Sequence, residues 1–232
     1  MLTLNQIAWD ILSTIKVQSS DDSEIDIRQV KYWFKTEASK LIKQELNKSR
    51  TIDTNLLLTA CLNLESVSAS ECCNISLDCK ILRSSKKVPS FVELKHREAI
   101  TRIGPVNMTK RAYTIIEFER LPHITSGRFT SNEVYTFIKD KYLYVYTINP
   151  KYKSLKKATI RGVPEDPSEF ASLNNCDDVP CYSDDSAYPI PNWYIPIIKD
   201  LVIKNNLLIA AKSETISDNQ NNAKQDSIPV TN

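Results

Sequence analysis

The stretch AYPIPNWYIPIIKDLVIKNNLLIAA, residues 187 to 211, sets the strongest limit on how this chain folds. Three prolines crowd its front, and a helix is expected from Asn192 to Ala211. Pro191 stands just before that helix and Pro196 within its first turn or so, where a missing amide donor costs little. At about 100° per residue its apolar positions nearly encircle the axis. Lys199, Asp200, Lys204, Asn205 and Asn206 are scattered and gather on no single side. A helix apolar almost all round is buried on more than one face. Burial beneath the rest of the same chain satisfies that demand, and so does burial shared with a neighbouring subunit. On the second reading Trp193, Tyr194, Ile197, Ile198 and Leu201 are the interface residues.

The remaining elements follow from periodicity. Leu4, Ile7, Ala8, Ile11, Leu12 and Ile15 recur at helical spacing and define a first helix. This N-terminus lacks a basic segment and a small-residue cleavage site, so a secretory signal is not expected. No run approaches the ~20 apolar residues that cross a bilayer, and a reducing cytoplasm is the expected setting. The polar linker VQSSDDSE supplies N-cap residues for a second helix. Along it Ile27, Val30, Phe34, Ala38 and Leu41 form a narrow stripe, flanked by Trp33 and Ile42. Its other face is basic: Arg28, Lys31, Lys35, Lys40, Lys43, Lys48 and Arg50 stand against Glu37 and Glu45. A solvated helix face explains that charge without a partner, while contact with nucleic acid is the alternative.

Beyond Arg50 the pattern turns to β. TNLLLTACLNLESV is an ambiguous apolar run, and ISLDCKIL, ITRIG, AYTIIEF and KKATIRGV read as strands. EVYTFIKDKYLYVYTI is the clearest hairpin, two alternating aromatic strands joined around Lys139-Asp140-Lys141. Residues 164 to 188, rich in Pro, Asp, Ser and Asn, form an irregular acidic connection. The last twenty residues are mostly polar, rich in Asn, Gln and Ser, and end with a small apolar motif, Ile228, Pro229 and Val230. Their low apolar content predicts a free tail, and such a tail can still order in a partner's groove.

Chemistry is scarce. Three glycines in the whole chain leave no phosphate-cradling GxGxxG or GxxxxGK[ST] loop. The two histidines, His96 and His123, sit in a charged stretch and a loop, and no nucleophile elbow or HExxH helix accompanies them. An enzyme is not expected, and no cofactor or metal is. The six cysteines match no common zinc spacing. They read as buried thiols, with Cys176 and Cys181 offering a pairing under oxidising conditions.

The hairpin carries the other functional signal. Tyr135, Phe137, Tyr142, Tyr144 and Tyr146 are spaced so that several share a sheet face. Lys139, Lys141, Lys151, Lys153, Lys156, Lys157 and Arg161 surround them. Rings interleaved with cations make a single-strand nucleic-acid platform. The same alternation also arises when a tyrosine face is core and the lysines meet water. A basic patch of this kind equally suits the wall of a DNA channel, where contacts ignore sequence.

Two stretches taken together carry a resemblance. LNQIAWDIL, followed by DDSEIDIRQVKYWFKTEASKLIKQELNKSRTID, opens the chain, and YPIPNWYIPIIKDLVI closes it before a polar tail. This arrangement resembles the head-to-tail connector proteins, or portal adaptor rings, of crAss-like short-tailed bacteriophages. It covers about 50 residues at the front and 25 at the back, and its motifs are pattern, not chemistry. The resemblance implies an α+β fold: residues 1–55 supply N-terminal bundle helices, 56–186 a β-rich insertion, and 187–212 a C-terminal helix completing the bundle. Residues 213–232 would then be a flexible tail that docks on the portal through Ile228, Pro229 and Val230. It further implies a virion structural role as a homo-oligomeric, dodecameric ring. The partners would be the portal, an adjacent tail or ring protein, and genomic DNA bound non-specifically, with no membrane. Lys139, Lys141, Lys151, Lys153, Lys156, Lys157, Arg28 and Lys35 are the residues expected along the DNA path.

Overall fold

A computed structural model describes residues 2–18, 25–48, 51–67, 81–95, 97–124, 133–147, 149 and 154–207. The chain divides into two compact units, Met1–Ile42 with Ile190–Asn232, and Lys43–Pro189.

In the first unit, helix α1 spans Leu4–Gln18. Thr3 and Gln6 cap it reciprocally: the Thr3 amide donates to Gln6 Oε1 at 3.0 Å, and the Gln6 amide to Thr3 Oγ1 at 3.2 Å. This is a capping box, which satisfies donors that the first helical turn leaves open. Leu4, Ile7, Ala8, Ile11, Leu12 and Ile15 are all buried, so the expected stripe faces a core. Helix α2 spans Ile27–Lys48, its residues from Lys43 on belonging to the second unit, and buries Val30, Phe34, Ala38, Ile42 and Leu46. Ile27 and Leu41 are only half-buried, because Ile42 and Leu46 carry the stripe on at i+4 spacing.

The second unit is a seven-stranded antiparallel-rich sheet. Its strands are β1 Leu58–Val67, β2 Ile81–Ser84, β3 Ile100–Gly104, β4 Thr114–Ile115, β5 Val134–Lys139, β6 Tyr142–Thr147 and β7 Lys157–Gly162. The order is β3-β7-β1-β2-β6-β5-β4, and only the β4–β5 pair is parallel. Just ahead of β4 the Tyr113 amide donates to the Ile103 carbonyl of β3 at 2.8 Å. The two strands at the ends of the order are thereby linked, and the sheet is nearly closed. Closure removes the exposed edges that would otherwise template aggregation. Register follows the side-chain alternation: Ala60 faces Ile160 and Leu62 faces Ala158 across β1 and β7, and all four are buried. A Cβ at Gly162 would lie 2.7 Å from both the Ala99 carbonyl oxygen and the Phe91 ring, so only glycine allows this close approach.

The expected α+β fold framed by a bundle of terminal helices is overturned. The architecture is mostly β, set by the nearly closed seven-stranded sheet, and the helices are few. The closing helix is the reason. Helix α3 is the short Leu121–Ile124. The last helix, α4, runs only Tyr194–Val202, nine residues, before Ile203–Leu207 widens into a π-turn. Residues 208–212 of the expected closing helix lie outside the described residues. The anticipated tail at 213–232 lies outside the described residues.

Candidate functional site

Helix α4 sorts its apolar residues sharply. Tyr194, Ile195, Ile198 and Val202 are buried, with Ile198 and Val202 fully so. Trp193, at the helix start, remains 59% exposed and Ile197 43%. One turn apart, these two lie on the same face. The Trp193 ring lies on that of Tyr194, centroids 3.7 Å apart. Of the five positions singled out for an interface, Tyr194 and Ile198 belong to the core and Leu201 is half-buried. Trp193 and Ile197 present a surface.

Two polar contacts tie α4 and the turn after it to the N-terminal helices. Lys199 Nζ donates to Asp10 Oδ2 on α1 at 2.8 Å. Asn205 Nδ2 donates to Glu37 Oε2 on α2 at 3.3 Å. Glu37, buried, also accepts from Lys40 Nζ at 2.9 Å, so its carboxylate is satisfied within the unit.

Two aromatic residues outside the helical stripes are exposed, Trp9 at 60% and Tyr32 at 68%. The signal was present in the sequence. Each is a large apolar residue lying off its helix's buried stripe, where a polar residue is the norm.

The aromatic hairpin is core. β5 and β6 join through Asp140 and Lys141, whose φ values of 52° and 63° mark a type I′ turn. Tyr135, Phe137, Tyr144 and Tyr146 are buried with Ile81 and Leu121, and Ile116, Phe118 and Ile124 pack against them. Phe118 sits 5.3 Å from Phe137, centroid to centroid. Of the hairpin rings only Tyr142 is even half-exposed, and Arg83 lies over it at 5.0 Å. Stacking of bases on these rings is therefore closed off by the 116–124 segment.

Among the described residues the expected DNA-facing cations are divided between the two units. Lys139 Nζ sits 4.4 Å over the Phe118 ring, a cation–π contact. Lys141, exposed at the turn, donates to Ser90 Oγ at 3.1 Å. Lys87, over Tyr142 at 6.0 Å, joins Arg83, Lys139 and Lys141 at the hairpin end, although neither Lys87 nor Arg83 was anticipated there. Lys156 is exposed where β7 begins, and Lys157 lies 3.8 Å from Asp178. Arg28 and Lys35 belong to the first unit, on α2, Arg28 exposed and Lys35 half-buried. Lys151 and Lys153, like Ile228, Pro229 and Val230, lie outside the described residues.

The cysteines correct one expectation. Cys176 pairs with Cys61 on β1, not with Cys181. The Cys61 amide donates to the Asn174 carbonyl at 2.9 Å, which lays residues 173–181 along β1 and brings the two sulfurs together. Cys181 donates its S–H to the Thr59 carbonyl at 3.3 Å, and burial pushes its thiol up to about 11. It stays a neutral thiol at physiological pH, the opposite of a nucleophilic cysteine. Cys72, Cys73, Cys79 and His96 lie outside the described residues.

A further cleft among the described residues, of about 190 Å³ beside β4, is lined by Arg111, Tyr113, Glu133 and Val134 among others. Arg111 and Glu133 are 2.9 Å apart and neutralise one another. His123 is exposed. Among the described residues no three His, Cys, Asp or Glu side chains stand close enough to hold a metal, and no helix is long and apolar enough to cross a membrane.

No curated protein matches the chain. Residues 6–227 match the family described as phage tail ring protein 2. That span takes in both units, from the first helix through the closing one, and the chain belongs to this family of phage tail ring proteins.

Proposed function

We propose that this protein is one subunit of a homo-oligomeric, dodecameric ring in the head-to-tail connector, beneath the portal and above the next tail component. Its role there is structural and the genome passes through its lumen. The observation that carries the reading is the exposure of Trp193 and Ile197 on a helix whose every other large apolar side chain is buried or half-buried. Large apolar residues held in water on a rigid helix mark a surface meant for another protein. Membership of a tail ring family supports a subunit of like kind as that partner.

Docking on the portal is assigned to residues 213–232, through Ile228, Pro229 and Val230, an apolar triplet near the end of a largely polar tail. Contact with DNA is assigned to Arg28 and Lys35 on α2 and to Lys139, Lys141, Lys151, Lys153, Lys156 and Lys157, as sequence-independent phosphate contacts. Single-strand binding by the hairpin finds no support, because its rings are enclosed.

Mass photometry of the purified protein, alone and mixed with a portal ring, tests the reading. A discrete high-order species that binds the portal is expected. A chain truncated after Ala211 should keep its fold and lose the portal. Full portal binding by that truncation overturns the docking assignment, and a strict monomer indifferent to the portal overturns the connector.

A further inference from the structure

Helices α1 and α4 leave two different apolar surfaces on opposite sides of the seam that joins them. On α1 the stripe from Leu4 to Ile15 is buried. In helical projection Asp10 flanks that stripe on one side and Trp9 on the other, each by about 130° from its centre. On α4 the stripe is Tyr194, Ile195, Ile198 and Val202. Lys199 flanks it on one side, while Ile197 and Trp193 flank it on the other. The ion pair between Asp10 and Lys199, 2.8 Å, fixes which flanks face one another inside the subunit. Trp9, 60% exposed, therefore looks outward from one side of the pair. Trp193 and Ile197 look outward from the other.

One charge on each surface can meet an opposite charge on the other, with exposed Lys204, seven residues after Ile197, standing beside Asp200 on the α4 side. Lys16 follows Trp9 by seven residues and Asp200 follows Trp193 by seven, and both are exposed. A seven-residue step is about two helical turns, so each charge shares the face of its tryptophan. A neighbour docked with its α1 running alongside α4 in the same direction brings ring to ring and Lys16 to Asp200.

We propose that the ring closes head to tail through these two surfaces, the Trp193–Ile197 face of one copy seating on the Trp9 face of the next. This rests on the ring reading and deepens it. A closed ring needs a heterologous contact, two unlike patches on each subunit, and the helix pair supplies two. A tryptophan brings roughly 150–250 Å², against the ~800 Å² per partner of a stable interface. The pair of rings is thus the anchor of a larger contact, where aromatic hot spots concentrate binding energy.

The experiment is sedimentation velocity on the full chain and on Trp9→Glu and Trp193→Glu variants, singly and mixed, with circular dichroism to confirm that each folds. Both residues are exposed, so the fold should persist, and Ile197→Glu serves as a second probe of the α4 surface. Each single variant should raise the concentration needed for assembly by roughly 30-fold or more, the scale of a hot-spot loss. Mixed one to one, the two variants should form a heterodimer and stop, because one intact contact survives per pair. Lys16→Glu should weaken assembly, and adding Asp200→Lys to the same chain should restore it. Wild-type rings that tolerate both tryptophan variants overturn the docking surfaces and leave the ring standing. Homodimers of either variant alone overturn the head-to-tail arrangement. A wild-type chain that stays monomeric throughout overturns the ring reading and this inference with it.

Discussion

The rings of Phe137 on β5 and Tyr144 on β6 lie parallel across the hairpin, 5.1 Å between centroids and 5° from coplanar orientation. They are a directly paired set in the antiparallel register, and Phe118 closes over Phe137. The hairpin's aromatic face therefore holds the sheet to the segment that crosses it.

Phe137→Ala should cost roughly 3–5 kcal/mol, the usual penalty for emptying a buried aromatic site. Urea denaturation measures it. A loss below about 1 kcal/mol, within the range of surface substitutions, would place the ring outside the core. Single-stranded oligonucleotide should leave tyrosine emission unchanged, and saturable quenching would show that the rings are reachable.

Cys61 and Cys176 close a loop of 115 residues. Cross-linking a long loop restricts the unfolded chain, and removing such a bond typically costs about 2–5 kcal/mol. Reductant should lower the denaturation midpoint of the wild type and leave Cys61→Ser unmoved. A wild type insensitive to reductant would mean that these thiols are not paired in solution.

Tyr182 and Tyr188 meet edge to face, centroids 6.3 Å apart, both buried. Burial, with Asp166 and Asp184 nearby, raises both phenols above the usual tyrosine range. The folded state thus holds its protons where the unfolded chain releases them. Stability is fully present below the ordinary tyrosine value of about 10 and falls as pH rises above it. Thermal melts between neutral and strongly alkaline pH should show that decline. The Tyr182 hydroxyl is buried with no hydrogen-bond partner among the described residues. Tyr182→Phe should therefore be neutral or stabilising by about 1 kcal/mol, with a gentler alkaline decline. A loss above about 2 kcal/mol would reveal a partner for that hydroxyl.

The legible parts of this protein were those written in neighbouring residues. The α1 stripe is buried at all six expected positions, because 3.6-residue periodicity needs no knowledge of what lies opposite. The hairpin was legible too: alternation put the turn around Lys139-Asp140-Lys141, and the structure turns at Asp140 and Lys141 with Lys139 still in β5. The family resemblance lay in the order of such local patterns along the chain.

What the sequence alone determined is therefore the buried stripe of α1, the second helix and the aromatic hairpin. Tertiary structure decided which faces survive in water. Apolar positions nearly encircling residues 192–211 suggested burial on several sides, yet the core covers one side of α4 and leaves Trp193 and Ile197 outside. It also decided that Cys176 meets Cys61 instead of Cys181, and that Tyr113 reaches Ile103 to close the sheet. The physical reason is common to all three. Each depends on which distant segments win a shared surface after loop closure, and that competition leaves no mark in the spacing of adjacent residues.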